Sequence, residues 1–189
     1  MREYDQIAAW YTETRNPRIG VRDVAAFVRG LAPQARILDF GCGDGVPISQ
    51  LLARKGFDLV GLDSSREMIA RYRANFPAVA ARCERVQEAR FAEGTFEAVV
   101  AWGVLFHLSR ADQRAAIQRV SEWLKPGGRF LFTSGDQEAV TEGEMDGTTF
   151  RYVSLGANEY HRLIERCGMR METAYRDAWA NCIYVAQKV

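Results

Sequence analysis

From Arg36 to Gly45 the chain reads Arg-Ile-Leu-Asp-Phe-Gly-Cys-Gly-Asp-Gly, an apolar run that passes into alternating glycines. Gly41 and Gly43 let a backbone turn approach a ligand closely and take up angles that a side chain blocks. Downstream by about twenty residues, Val60-Gly61-Leu62-Asp63 sets a carboxylate at the end of a second apolar segment. A carboxylate placed there accepts hydrogen bonds from both hydroxyls of a ribose. Each feature has a plainer explanation. Tight strand-to-helix turns use glycine for steric reasons, and an Asp at a strand end is often a helix cap. Together the glycine turn and Asp63 point to a bound nucleoside. His107 is the base candidate, since an imidazole accepts a proton near neutral pH. It stands just past the run Glu97–Trp102, where it can equally tie backbone together.

A nicotinamide dinucleotide would use the same turn and the same Asp. Its fingerprint wants a third glycine where this chain has Val46. Asp39 sits just ahead of the turn, where it can hold the loop or receive an ammonium group, and a pyrophosphate has no use for a carboxylate facing it. A chain of 189 residues also leaves no room for a separate substrate domain.

These residues need elements to position them. Tyr4–Tyr11 has helical spacing and is broken by Asn16-Pro17. Val21–Leu31 reads as a second amphipathic helix, stopped near Pro33. Strands over Arg36–Phe40, Asp58–Leu62, Val79–Cys83, Glu97–Trp102 and Arg129–Ser134 then alternate with helices over Pro47–Lys55, Ser65–Asn75 and Ala111–Leu124. Pro126-Gly127-Gly128 ends the last of these helices. Short buried strands alternating with helices imply a parallel sheet covered on both faces, wound right-handedly. A helix over Ala157–Cys167 precedes strand-like runs at Met169–Tyr175 and Cys182–Gln187, joined too briefly for a crossover. The fold expected is α/β: a doubly wound, mostly parallel seven-stranded sheet with an antiparallel C-terminal edge hairpin and helices on both faces. Residues 1–189 read as a single domain.

Composition narrows the function classes. Hydrophobic residues make up 48%, charged residues 26%, and the formal net charge is +1, so nothing argues for nucleic acid as a partner. The four cysteines form no CxxC pair, and His107 and His161 lie far from any cysteine cluster, so no metal site is expected. The N-terminal stretch is too charged and aromatic for a signal peptide, and no apolar run reaches a membrane span. A soluble, cytoplasmic protein is expected, with its oligomeric state open.

The stretches Ile37-Leu38-Asp39-Phe40-Gly41-Cys42-Gly43-Asp44-Gly45, Leu59–Ser65, Thr95–Leu108 and Leu124–Phe132 together resemble the class I S-adenosylmethionine-dependent methyltransferases. The chain is most similar to small bacterial members with an N-terminal YDxxAxxY-type helix, here Tyr4–Tyr11. The resemblance implies S-adenosylmethionine as methyl donor, S-adenosylhomocysteine as product and a small-molecule acceptor. It implies that Gly41 and Gly43 line the methionine part, that Asp39 faces its amino group or holds the loop, and that Asp63 binds the ribose. Ser64 and Met68 would lie beside the adenine, Val86, Gln87 and Glu88 along its edge, and Trp102 and Gly103 under the sulfonium. Trp10 and Arg15 match positions that cover the cofactor carboxylate, so residues 1–33 are expected to form a helical cap. Tyr11, His107, Phe150 and Tyr152 are the expected acceptor-lining residues, with Tyr160 as a further aromatic. Glu97 departs from the family's Asp, and Glu84–Glu88 lacks its Gly-Asp-Ala string.

Asp136–Asp146 carries Asp136, Glu138, Glu142, Glu144 and Asp146 with no basic residue. It reads as a solvated acidic loop. The functional alternative is a lid favouring a neutral or cationic acceptor, with Phe150, Arg151 and Tyr152 as its inner edge. Two other functions share the same residues. One is a nicotinamide-dependent reductase of similar topology, the other a noncatalytic S-adenosylmethionine-binding protein.

Overall fold

The strongest apolar runs pair with one another. In the computed structural model, which describes residues 2–189, β1 (Arg36–Phe40) lies between β2 (Asp58–Asp63) and β4 (Phe96–Ala101), parallel to both. β3 (Ala80–Cys83) adds to β2, and β5 (Leu124–Ser134) adds to β4, again in parallel. The sheet closes with an antiparallel pair, β8 (Met169–Arg176) and β9 (Cys182–Lys188), with β9 inserted against β5. Its order is β3-β2-β1-β4-β5-β9-β8. The strand order therefore reverses between β1 and β4, where an open α/β sheet leaves a crevice at its carboxyl edge.

Helices cover both faces, as the apolar patterns require. On one face α2 (Val21–Phe27) and α3 (Ile48–Arg54) bury Val24, Phe27, Ile48 and Leu52 against Ile37, Val100 and Leu131. On the other, α5 (Arg110–Trp123) and α6 (Ala157–Arg166) bury Ile117, Val120 and Ile164 against Val99, Phe130 and Phe132. α4 (Arg66–Asn75) follows β2, and α1 (Arg2–Thr14) packs on α4 rather than on a sheet face. Of the residues expected to form the cap, α1 and Arg15 reach the carboxyl edge. α2 belongs to the layer beside α3.

The structure corrects several boundaries. The second helix stops at Phe27, and Gly30 turns the chain with φ 87°. Pro126-Gly127-Gly128 lies within β5, beside the register shift between Phe96 and Ala98. The acidic loop is instead strand β6 (Glu138–Met145), paired antiparallel with β7 (Thr148–Leu155) in a separate hairpin. Asp146 and Gly147 turn this hairpin with φ 47° and 70°, the pair of positive angles that Asp-Gly supplies.

Candidate functional site

The glycine turn after β1 is held by the end of β2. Gly41 N–H donates to Leu62 O at 2.7 Å, and a Cβ on Gly41 would meet Val104 at 2.5 Å. Gly43 takes φ 55°, and a Cβ there would meet only Arg15, at 4.0 Å. Asp63 ties the turns together. Its Oδ2 accepts from Gly43 N–H at 3.0 Å and its Oδ1 from Ser65 N–H at 2.9 Å. Burial raises its pKa against these bonds, yet part of its surface still opens to the cleft.

Asp39 lies beneath the turn, 2% exposed. It accepts from Ser49 Oγ at 2.6 Å, and Ser49 Oγ is 2.9 Å from the Tyr72 hydroxyl. Burial pushes its pKa up to about 6, while Ser49 and the nearby Arg15 charge oppose that rise. Arg15 itself donates to Val46 O at 2.9 Å and lies 5.4 Å from the Tyr11 ring centre.

Above the turn is a cleft of about 1050 Å³, lined along the sheet by Phe40, Gly41, Leu62, Asp63 and Ser64. Val86, Gln87, His107 and Asp112 line it further, together with Asp5 and Gln6 of α1. The cleft narrows to a space of about 30 Å³ enclosed by Tyr4, Tyr11, Arg15, Met68, Trp102 and Gly103. α1 is latched over it. Asp5 Oδ1 accepts from Ser65 Oγ at 2.6 Å and from Glu67 N–H at 3.2 Å, at the start of α4.

His107 ends a 3₁₀ turn, Leu105–His107, after β4. Its Nε2 is 3.1 Å from the Tyr4 hydroxyl, and its backbone N–H donates to Val104 O at 3.0 Å. Burial lowers its pKa from 6.5 to about 4. Rings of Phe106, Tyr152, Tyr4 and Phe150 surround it at centroid distances of 4.7, 5.2, 5.4 and 5.8 Å. Beyond Phe106 and Tyr152 lies a second chamber of about 390 Å³, reached by Thr133, Asp136, Arg176 and Cys182. The inner space and the chamber adjoin where Gly103 N–H donates to Thr133 Oγ1 at 2.8 Å.

The structure brings most of the expected residues to these spaces. Gly41, Asp63, Ser64, Val86, Gln87 and His107 line the cleft; Gly43, Met68, Trp102, Gly103, Arg15 and Tyr11 line the inner space; Tyr152 lines the chamber. Others fall elsewhere. Trp10 is 37% exposed on the outer side of α1 and reaches neither space. Asp39 underlies the turn, Glu88 is exposed, and Phe150 is buried behind Tyr4 at 5.0 Å between ring centres. Tyr160 is fully buried in the core. Sequence reasoning missed Tyr4, Asp5 and Asp112 as site residues. The first two belong to the recognised Tyr-Asp helix. Asp112 had a local signal, because Ser109 caps α5 by accepting from its N–H at 3.1 Å. Glu97 is structural: it accepts from Arg36 N–H at 2.7 Å and pairs with Lys125.

Comparison with known proteins agrees with this geometry. A family described as "Methyltransferase domain" matches residues 37–128. A probable S-adenosylmethionine-dependent methyltransferase of Mycolicibacterium smegmatis is 28% identical over 137 residues, 72% of this chain and 52% of that protein. The chain thus spans about half the length of the curated relatives it matches. Among solved structures, the CcbJ methyltransferase of Streptomyces caelestis superposes with a TM-score of 0.82 at 19% identity, covering 99% of this chain and 98% of that one. Burkholderia thailandensis 1,6-didemethyltoxoflavin-N1-methyltransferase, solved with 1,6-didemethyltoxoflavin and S-adenosylhomocysteine, gives 0.74 at 18%, covering 100% and 84%. The matched segment holds the glycine turn and Asp63, the sheet order is that of a Rossmann-like fold, and the family match, the relatives and the fold together support a class I S-adenosylmethionine-dependent methyltransferase.

Proposed function

We propose that this protein transfers a methyl group from S-adenosylmethionine to a small-molecule acceptor held in the chamber beyond Phe106 and Tyr152. The observation that carries the reading is the junction of the two spaces at Gly103 and Thr133. There the inner space at the narrow end of the cleft stands next to the chamber, at the carboxyl edge of β4 and β5. The residues fit the donor. Gly43 leaves room where a side chain would stand, and Asp63 presents a partly open carboxylate to a ribose in the cleft. When bound, the sulfonium supplies an activated methyl group that leaves by in-line displacement.

The chain's own residues align and enclose. Asp63 and the glycine turn fix the nucleoside end, while Arg15 and Tyr11 close on the amino-acid end. The aromatic set around His107 excludes water. His107 is neutral above about pH 4, and its Nε2 is committed to Tyr4. Its first role is therefore to seat α1, with proton removal by its ring confined to acceptors too weakly nucleophilic to react unaided. The size of the chamber suits a small molecule, and the Burkholderia relative was solved with such a ligand beside S-adenosylhomocysteine.

The test is incubation with methyl-labelled S-adenosylmethionine and a panel of hydroxyl, amine and thiol acceptors, followed by mass spectrometry. Acceptor-dependent formation of S-adenosylhomocysteine is expected. Tight donor binding with no transfer to any acceptor class would favour a noncatalytic binding protein.

A further inference from the structure

The chamber beyond Phe106 has its own chemistry. Phe106 and Tyr152 form one wall, with ring centres 5.8 Å apart and planes tilted by 56°. Ala139 and Val153 also line the chamber, and Thr133 and Asn181 offer neutral polar groups. The charged side chains among its lining residues are Asp136 and Arg176, and they bind each other. Arg176 Nη2 lies 2.6 Å from Asp136 Oδ2, and Nη1 donates to Ala180 O at 3.3 Å. The guanidinium holds the Asp136 carboxyl below its ordinary range. Meanwhile Glu138, Glu142 and Glu144 of β6 are exposed, and Glu138 pairs with Arg110 at 3.0 Å. None of these three lines the chamber.

We propose that the chamber selects an uncharged, flat aromatic acceptor, and that the Asp136–Arg176 pair acts as its charge filter. The inference rests on the chamber being the acceptor site of the methyl-transfer reading. The pair is partly open to water, which takes up part of either loss; an anionic ligand would still have to draw Arg176 from Asp136, and a cationic ligand Asp136 from Arg176. Either exchange breaks one charge-assisted bond to make another. A neutral ring leaves the pair intact and gains contact with the Phe106 and Tyr152 rings. Asp136 is thus a specificity-determining residue, acting through the arginine that it occupies.

The test uses one ring with three charges. Naphthol, naphthoate and naphthylmethylammonium are titrated by calorimetry, near neutral pH, into the full chain saturated with S-adenosylhomocysteine. Naphthol should bind about tenfold or more tighter than either charged probe, a difference of about 1.4 kcal/mol or more. Asp136→Asn frees Arg176 and should shift the naphthoate-to-naphthol affinity ratio by about tenfold in favour of naphthoate. Ala139→Trp fills the chamber and should abolish naphthol binding, with S-adenosylhomocysteine affinity as the check on folding. Preference for a charged probe in the unaltered protein, or an unchanged ratio in Asp136→Asn, overturns the filter. Naphthol binding that survives Ala139→Trp overturns the location. Failure of all three probes in a protein that binds S-adenosylhomocysteine overturns the ligand class alone. Failure to bind S-adenosylhomocysteine instead overturns the methyl-transfer reading beneath it.

Discussion

Asp39 is a carboxylate held where burial works against its charge. Its folded pKa of about 6 lies above the ordinary 3.8, so the folded chain keeps a proton that the unfolded chain has already released. The stability this contributes is complete below pH 3.8 and is lost as pH rises through about 6. The shift corresponds to about 3 kcal/mol. Asp39→Asn should therefore melt higher than the unaltered protein above pH 6, and the gap should close toward pH 4. A lower Tm for the variant at alkaline pH would show that Ser49 and Arg15 outweigh burial. His107 has the opposite sign, because the unfolded chain takes up a proton near pH 6.5 that the folded chain refuses until about 4. His107→Asn should lose about 1–2 kcal/mol of stability near neutral pH through the Tyr4 contact and change turnover modestly. A stable variant whose turnover falls by about 10²-fold would make it a base instead. The glycine turn and Asp63 were legible because backbone geometry and strand-end carboxylates leave sequence signatures. The burial of Asp39 was not, since its depth depends on Ser49 and Tyr72, which arrive on different helices.

α1 shows what helical phase decides. Ile7 and Ala8 are 2% and 3% exposed, and Tyr4 and Tyr11 share their stripe at spacings of three and four residues. Trp10 lies off that stripe, so Tyr11 rather than Trp10 reaches the inner space. The family pattern located the helix, but the inward residue follows from the phase. The inner space is small, about 30 Å³, and Tyr4 and Tyr11 of α1 form part of its wall, so exchange of α1 amides reports whether that wall closes on ligand. Exchange across residues 2–14 should slow when S-adenosylhomocysteine binds, and equal exchange with and without ligand would rule out the lid. Asp5→Ala removes the latch on α4 and should lower stability by about 1 kcal/mol in thermal melts. The β6–β7 hairpin carried a legible sign, Asp146-Gly147, which the density of acidic side chains on its outer surface concealed.

At the scale of the whole molecule, the sheet was legible because buried parallel strands are continuous apolar runs and right-handed crossovers leave few orders to choose from. The second chamber was not. Its lining runs from Phe106 to Cys182 across β5, β6, β7, β8 and β9, and no local pattern connects them. What holds those parts together is the Tyr160 hydroxyl. It donates to Gln113 Oε1 at 2.6 Å, lies 2.5 Å from Ser134 Oγ and accepts from Leu155 N–H at 3.2 Å. Tyr160→Phe leaves these buried partners unpaired and should cost about 1–3 kcal/mol in denaturant unfolding; an unchanged midpoint would mean that the network is dispensable. The central claim concerns the larger cleft, where the glycine turn and Asp63 are assigned to S-adenosylmethionine. Its most direct test is parallel calorimetric titration of the unaltered protein and Asp63→Ala with S-adenosylmethionine and with NADH. The account predicts saturable binding of S-adenosylmethionine alone, weakened by about 2–3 kcal/mol in a folded Asp63→Ala variant. Saturable binding of NADH with none of S-adenosylmethionine, or equal S-adenosylmethionine affinity in the variant, would contradict it.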